Sequence, residues 1–344
     1  MLTLDAIEAQ GSAVAALRRA IARDRVASAY LFEGPSGVGK EQAALGFAAE
    51  AIGPGGADAA QLRERIAGDK HPDVRVFRPR DEGKRNIPVD FVRDEILPVA
   101  RYAPFESARA FLVFPDADVS FPMEQPAAAN ALLKTLEEPR RGVTFILLAP
   151  RPDALLQTIR SRCQRLRFGP LPPATLERIL AERGVSPEAR GPAIALAGGR
   201  ADRALELAEQ GRAAAMLALA LDVDAAVASR RPGRITDAAE ALAKAEPLAV
   251  ALDALGRFYR DVACVAVGAA DTGGAPEDDP RPTHLAFGDA LDTLRQRARG
   301  LSVMEATRRV AAVERARRSL ARNANVQLAM DALVFGMSRG QGGS

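Results

Sequence analysis

The chain has 344 residues, 48% of them apolar, with 47 lysines and arginines against 44 acidic residues. Such a length supports two or three domains with real cores, and such an apolar share excludes a disordered chain. A net charge of +3 and a pI near 9.1 permit contact with nucleic acid without demanding it, and two cysteines, Cys163 and Cys264, exclude a disulfide framework or a four-cysteine zinc module.

Helical periodicity at Ala13–Ala22 is followed by an apolar strand, Ala29–Phe32. Next comes Gly34-Pro35-Ser36-Gly37-Val38-Gly39-Lys40-Glu41 and a helix over Gln42–Ala51. This meets the phosphate-loop pattern G-x-x-x-x-G-K-[ST] up to Lys40, in the strand–loop–helix setting the pattern requires. The next position should offer a hydroxyl to Mg²⁺ but carries a carboxylate, Glu41.

Further strands are expected at Val74–Phe77, Ala110–Phe114, Thr144–Ala149 and Arg165–Phe168, with helices at Val89–Ala100 and Ala127–Glu138. This alternation predicts a parallel sheet covered by helices. Gly169-Pro170-Leu171-Pro172-Pro173 punctuates the chain. Beyond it, helices are expected at Ala174–Arg183, Ser186–Ala197 and Ala201–Gln210, then a long helical region with Pro247–Ala269 and Val303–Leu320 as its clearest members. Asp271–Pro280 reads as an exposed loop and Gly340–Ser344 as a disordered tail. The opening Met1-Leu2-Thr3-Leu4-Asp5-Ala6 has no basic or apolar region of a secretory leader, and there is no run of eighteen apolar residues. A cytoplasmic setting with no membrane contact is expected.

Four segments carry a resemblance: the phosphate loop, the strand Ala110–Phe114 with Pro115-Asp116-Ala117-Asp118, the helix Asn130-Ala131-Leu132-Leu133-Lys134-Thr135-Leu136-Glu137-Glu138-Pro139, and Thr158-Ile159-Arg160-Ser161-Arg162-Cys163-Gln164. Together with His71-Pro72-Asp73 and Asn323-Ala324-Asn325-Val326-Gln327-Leu328, they make the chain resemble bacterial AAA+ clamp-loader subunits of DNA polymerase III, most of all the delta-prime group. The resemblance implies an AAA+ α/β domain over 1–169, a small helical lid over 170–211 and an all-α collar domain for oligomerisation over 212–340. It also implies other clamp-loader subunits (tau/gamma and delta) as partners, and a sliding clamp and primed DNA reached through the complex.

The resemblance implies a role for Arg162: an arginine finger reaching into a neighbour's ATP site, with Ser161 and Cys163 shaping the turn that aims it. Without the resemblance, Arg162 reads as a surface arginine in a basic cluster with Arg160, Arg165 and Arg167. The departures concern the chain's own site. Pro115 stands where active relatives hold Mg²⁺ with an Asp, Asp116 follows it, and Pro150 replaces a polar sensor. With Glu41, these predict a chain that does not hydrolyse ATP itself. The loop residues Gly34, Gly37, Gly39, Lys40 and Glu41 leave two readings open: weak binding of ATP or ADP, or a structural relic with Lys40 solvated or paired to Glu41.

Near the place of a second sensor arginine stands Asp202, bracketed by Arg200 and Arg203. An Asp in the favourable first turn of a helix explains it equally well. Relatives carry a four-cysteine zinc module in the interval from Gly53 to Lys70, which has no cysteine here, so no zinc is expected and His71 reads as a hydrogen-bonding residue at a turn. Glu137 and Glu138 read as solvated residues at a helix end. Val119-Ser120-Phe121-Pro122 reads as an extra piece with no assigned role. Two other functions remain in play, an active motor ATPase of the same class and a DNA-binding module. Turnover by the isolated chain would mark the first, and strong salt-sensitive DNA binding the second.

Overall fold

The computed structural model describes residues 2–53, 59–78, 86–123, 126–138, 140–271, 285–287 and 291–339. The segments 54–58, 272–280 and 340–344, and Pro139, therefore lie outside the described residues, and with them most of the expected Asp271–Pro280 loop and the tail. The chain divides into two compact units, Met1–Leu176 with Gly199–Asp202, and Glu177–Gly198 with Arg203–Ser344.

The first unit is built on five strands: β1 Ala29–Glu33, β2 Val74–Val76, β3 Ala110–Phe114, β4 Val143–Ala149 and β5 Gln164–Arg167. Their order across the sheet is β2-β3-β4-β1-β5 and every pairing is parallel. Every residue of β1, β3 and β4 is buried, as expected of central parallel strands covered on both faces. The register sets Tyr30 beside Ile146, Leu31 beside Arg165 and Phe111 beside Val74. The helices of this unit are α1 Gly11–Ala22, α2 Lys40–Ile52, α3 Ala59–Ala67, α4 Val89–Phe91, α5 Leu97–Arg101, α6 Ala117–Ser120, α7 Ala127–Glu137 and α8 Gln157–Arg160.

Several elements differ from their sequence reading for identifiable reasons. The helix expected at Val89–Ala100 contains a π-turn over Val92–Ile96, in which Leu97 N–H donates to Val92 O. Pro98 has no N–H for the next α-type bond, which favours the wider turn. Polar α3 escaped notice because it buries little, chiefly Ile66. The extra piece Val119–Pro122 now has a structural account. Phe121 is fully buried and its ring lies 5.5 Å from Phe114, while Pro122 bridges to Leu155. Phe114 in turn stacks on Phe77 at 5.3 Å and Phe145 at 6.2 Å. Burying an aromatic ring of this kind is worth about 2–3 kcal/mol, so the insertion feeds the core.

Helix α9 Pro173–Glu182 begins in the first unit, and α11 Ala201–Ala208 begins there too. The second unit holds α10 Pro187–Ala197, α12 Arg212–Ser229, α13 Pro232–Ala243, α14 Leu248–Asp271, α15 Leu291–Gly300, α16 Val303–Leu320 and α17 Val326–Arg339. Ser302 caps α16 by accepting from Glu305 N–H at 3.2 Å. Ala251, Leu252 and Leu255 of α14 are buried in this unit's own core. A polar knot runs through that core: buried Asp224 accepts from Tyr259 Oη at 3.2 Å, from Arg309 at 3.5 Å and from Arg297. Burial and the Asp224 charge push the Tyr259 hydroxyl well above its ordinary pKa. No helix among the described residues is long and apolar enough to cross a membrane.

Candidate nucleotide loop and arginine turn

Parallel strands deliver all their carboxyl ends to one edge, where open α/β sheets place ligands. The phosphate loop follows β1, Pro115-Asp116 follows β3 and Pro150 follows β4. The sequence-predicted loop, metal and sensor positions therefore share one edge.

The loop is held from behind. Gln10, nearly fully buried, exchanges hydrogen bonds with Gly169, donating to its oxygen and accepting from its N–H, both at 2.9 Å. Gln10 Nε2 also lies 3.4 Å from Val38 O. Gly34 adopts φ +140°, and a Cβ there would sit 2.0 Å from Phe168 O, so no other residue fits.

Lys40 corrects the sequence expectation. It is neither solvated nor paired to Glu41: only 7% exposed, its Nζ donates to Gly34 O at 2.7 Å and to Pro35 O. Burial lowers its pKa to about 8, against the raising pull of Asp116, Asp118 and Asp202. Glu41 instead takes a two-pronged contact from Arg78, at 2.6 and 3.2 Å. Sequence reasoning missed Arg78, which lies 37 residues on. The Arg78–Glu41 hydrogen bond raises the Arg78 pKa.

The positions after β3 and β4 offer little to a metal. Pro115 is buried and has no ligand atom. Asp116 is exposed, in the left-handed region at φ 51°. Asp118 is buried and accepts from Arg151, the residue after Pro150, at 3.0 Å, while its Oδ1 makes no hydrogen bond. These side chains do not fit a magnesium nucleotide: the position expected to offer a hydroxyl carries an ion-paired glutamate, the position expected to offer a carboxylate is proline, and the loop lysine is bonded to its own loop. Among the described residues no group of three or more His, Cys, Asp or Glu is placed to hold a metal ion. His71 sits at a turn, accepting from Asp73 N–H through Nδ1 at 3.2 Å, with Nε2 3.0 Å from Glu106; burial lowers its pKa.

The second constellation is the turn between α8 and β5. Arg162 N–H donates to Ile159 O at 3.1 Å and Ser161 Oγ to Thr158 O at 3.1 Å, which tightens the turn. Cys163 packs into the sheet core, where burial pushes its thiol up to about 12, so it anchors the turn. With one neighbour pinned, Arg162 is directed outward. Its guanidinium donates to Thr158 O at 2.8 Å and pairs with Glu137 at the end of α7, both partners partly exposed. Glu137 is thus not merely solvated. The flanking arginines have their own partners: Arg160 pairs with Asp153 and Arg165 with buried Glu33.

Fold and edge together define a parallel α/β domain with a glycine-rich loop between its first strand and α2, followed by helices. Residues 9–172 match the family described as DNA polymerase III, delta subunit. Over 97% of both chains, the sequence is 29% identical to DNA polymerase III subunit delta' of Bacillus subtilis. It is 34% identical to the subunit delta' of Pseudomonas aeruginosa over 55% of this chain and 58% of that one. A solved gamma subunit-related protein from Thermotoga maritima superposes loosely, with a TM-score of 0.42 at 16% identity over 94% of this chain and 98% of that one. The chain is thus similar to subunits delta' of DNA polymerase III, over nearly its whole length in one case and over about half in the other.

Proposed function

We propose that this chain is a non-hydrolysing subunit of a bacterial clamp loader, acting in the cytoplasm to help place a sliding clamp on primed DNA. Its partners are the tau/gamma and delta subunits, and its helices over 212–340 are the oligomerising collar, with 170–211 as the lid. Its contribution to chemistry is Arg162, lent to the ATP site of an adjacent motor subunit.

The observation that carries this reading is the contrast in side-chain placement around two arginine-and-lysine sites. Lys40 and Glu41 are satisfied by partners of their own chain, and Pro115 cannot ligate a metal. Arg162 stands on a rigid turn, held by one carbonyl and one exposed carboxylate. A guanidinium delivered in trans stabilises charge developing on a transferred phosphoryl group through its planar fork of donors. Exposed pairs such as Arg162–Glu137 are worth about 0.2–1 kcal/mol, so a phosphoryl group outcompetes Glu137 once the neighbour docks.

The test is ATP turnover by complexes rebuilt with wild-type or Arg162→Ala chain, alongside turnover by the isolated chain. Equal turnover at equal assembly removes the finger. Steady hydrolysis by the isolated chain that disappears on Lys40→Ala would instead establish a motor ATPase, and strong salt-sensitive DNA binding by the isolated chain would establish a DNA-binding module.

A further inference from the structure

Asp202 lies 165 positions from Gly37 in sequence, yet the two are in contact within the first unit. Gly37 adopts φ +66°, and a Cβ there would meet Asp202 Oδ1 at 2.0 Å, its Cγ at 2.4 Å and its backbone N at 2.8 Å. Ala201 N–H donates to Gly37 O at 2.9 Å, which fixes the start of α11 against the loop. Arg200 braces the carboxylate, Nη2 to Oδ2 at 2.9 Å and Nε to Oδ1 at 3.2 Å. The first turn of a helix favours an acidic residue, so Asp202 is stable where it stands.

We propose that Asp202 is the residue that makes this loop refuse phosphate: seated at Gly37 and braced by Arg200, its carboxylate is a built-in anion at the loop's mouth. This rests on the reading of the chain as non-hydrolysing but answers a different question, whether a nucleotide binds at all. The loop's middle glycine is the place where backbone must approach phosphate closely, and the carboxylate takes that approach. Lys40, the charge that ordinarily rewards a phosphate, is bonded to Gly34 and Pro35 and already feels Asp116, Asp118 and Asp202. An incoming diphosphate meets those carboxylates while Lys40 is committed to the loop carbonyls and Arg200 to Asp202, and like charges at short range repel. The ligand class excluded is any nucleoside di- or triphosphate and its inorganic counterpart, pyrophosphate.

The experiment titrates ADP, with and without Mg²⁺, and pyrophosphate alone into the full chain by calorimetry. Wild type, Asp202→Asn, Asp202→Ala, Glu41→Thr and the Glu41→Thr/Asp202→Ala double variant are compared, with melting curves to verify folding. Removal of one close like charge is expected to raise affinity about tenfold or more. Asp202→Ala should show this over wild type, and the double variant should show it over Glu41→Thr. Asp202→Asn, which keeps the shape and loses the charge, should recover part of the gain and carries the test if the alanine variant misfolds. Affinities unchanged in every Asp202 variant, or wild type binding as tightly as they do, overturn the proposal. The Arg162 reading is judged on turnover of the rebuilt complex, so either idea can fail while the other stands.

Discussion

The nucleotide loop and the arginine turn lie in the same unit and treat their cations in opposite ways. At the loop, Lys40 is buried and bonded to two carbonyls of its own loop. At the turn, Arg162 is a third exposed and leans on Glu137, itself nearly half exposed. A buried cation that loses its partners is costly, because nothing replaces them. An exposed one exchanges partners at little cost. The loop keeps its charge on its own carbonyls, whereas the turn leaves its charge on partners that it can exchange.

The largest effect expected from breaking this contrast comes from Arg162. Arg162→Ala should leave folding within about half a kcal/mol, as exposed substitutions do, and leave assembly intact. In rebuilt complexes, turnover at the one affected site should fall roughly a thousandfold, the lower end for arginine fingers. Total turnover falls less, because other sites keep their own donors. Arg162→Lys should rescue poorly, since an ammonium lacks the planar fork. A lysine variant with full activity would mean that only charge, not geometry, is used.

The loop side breaks through its backbone. Gly37→Ala places a methyl group 2.0 Å from Asp202 Oδ1 and forces an L-residue into a left-handed conformation at φ +66°. Strain of this kind costs about 1–3 kcal/mol and overpacking adds a similar amount. A drop of about 2–4 kcal/mol in unfolding free energy of the full chain is expected. The Gly37→Ala/Asp202→Ala double variant should recover the overpacking share, and strict additivity of the two changes would show that the side chains do not meet.

Much of this was open to a reader of the sequence, and the limit is physical. The strands β1, β3 and β4 are mostly apolar runs, broken only by Glu33 and Thr144, whose burial follows from composition, so the parallel sheet was legible. So were the loop, Pro115 and the Ser161–Cys163 turn, because each is a local pattern. The partners were not. Arg78 on Glu41, Glu137 on Arg162 and Asp202 on Gly37 are 37, 25 and 165 positions apart, and no periodicity links them. Helix α3 hid because its polar sequence buries almost nothing, and Phe121 hid because a single ring in a short insertion has no pattern. Spacing along the chain gives the place of Asp202, but not its contact with Gly37.

Titration of Lys40 sharpens the buried side of the contrast. Its folded pKa is lowered to about 8 from the ordinary 10.5. Between those values the unfolded chain holds the proton and the folded chain releases it, so this group makes stability rise with pH across that window. Below pH 8 both states are protonated and the full cost of burying the charge is present. Lys40→Met removes the titration while leaving the Gly34 and Pro35 oxygens without their donor, so its absolute stability is a mixed quantity and the slope is the readout. Wild type should gain on Lys40→Met as pH is raised from about 8 to 10, by at most about 1.4 kcal/mol per pH unit. Parallel curves would mean that Lys40 keeps its ordinary pKa and that the loop does not desolvate it.

The smallest effect belongs to Glu137, and it tests whether the turn really holds its arginine loosely. Both partners are substantially exposed, at 33% and 47% of their side-chain surfaces, so the pair should be worth no more than about 1 kcal/mol and weaken with salt. Glu137→Gln should therefore move the unfolding free energy by less than that. In rebuilt complexes it should leave turnover equal to wild type or raise it, by about fivefold at most, because an arginine freed from its carboxylate has less to give up on reaching a neighbour's phosphate. Raising the salt concentration should erase the difference between the two chains. If Glu137→Gln instead lowers turnover as far as Arg162→Ala does, the carboxylate is aiming the guanidinium and not merely holding it. Arg162 and Glu137 would then have to be treated as one functional pair.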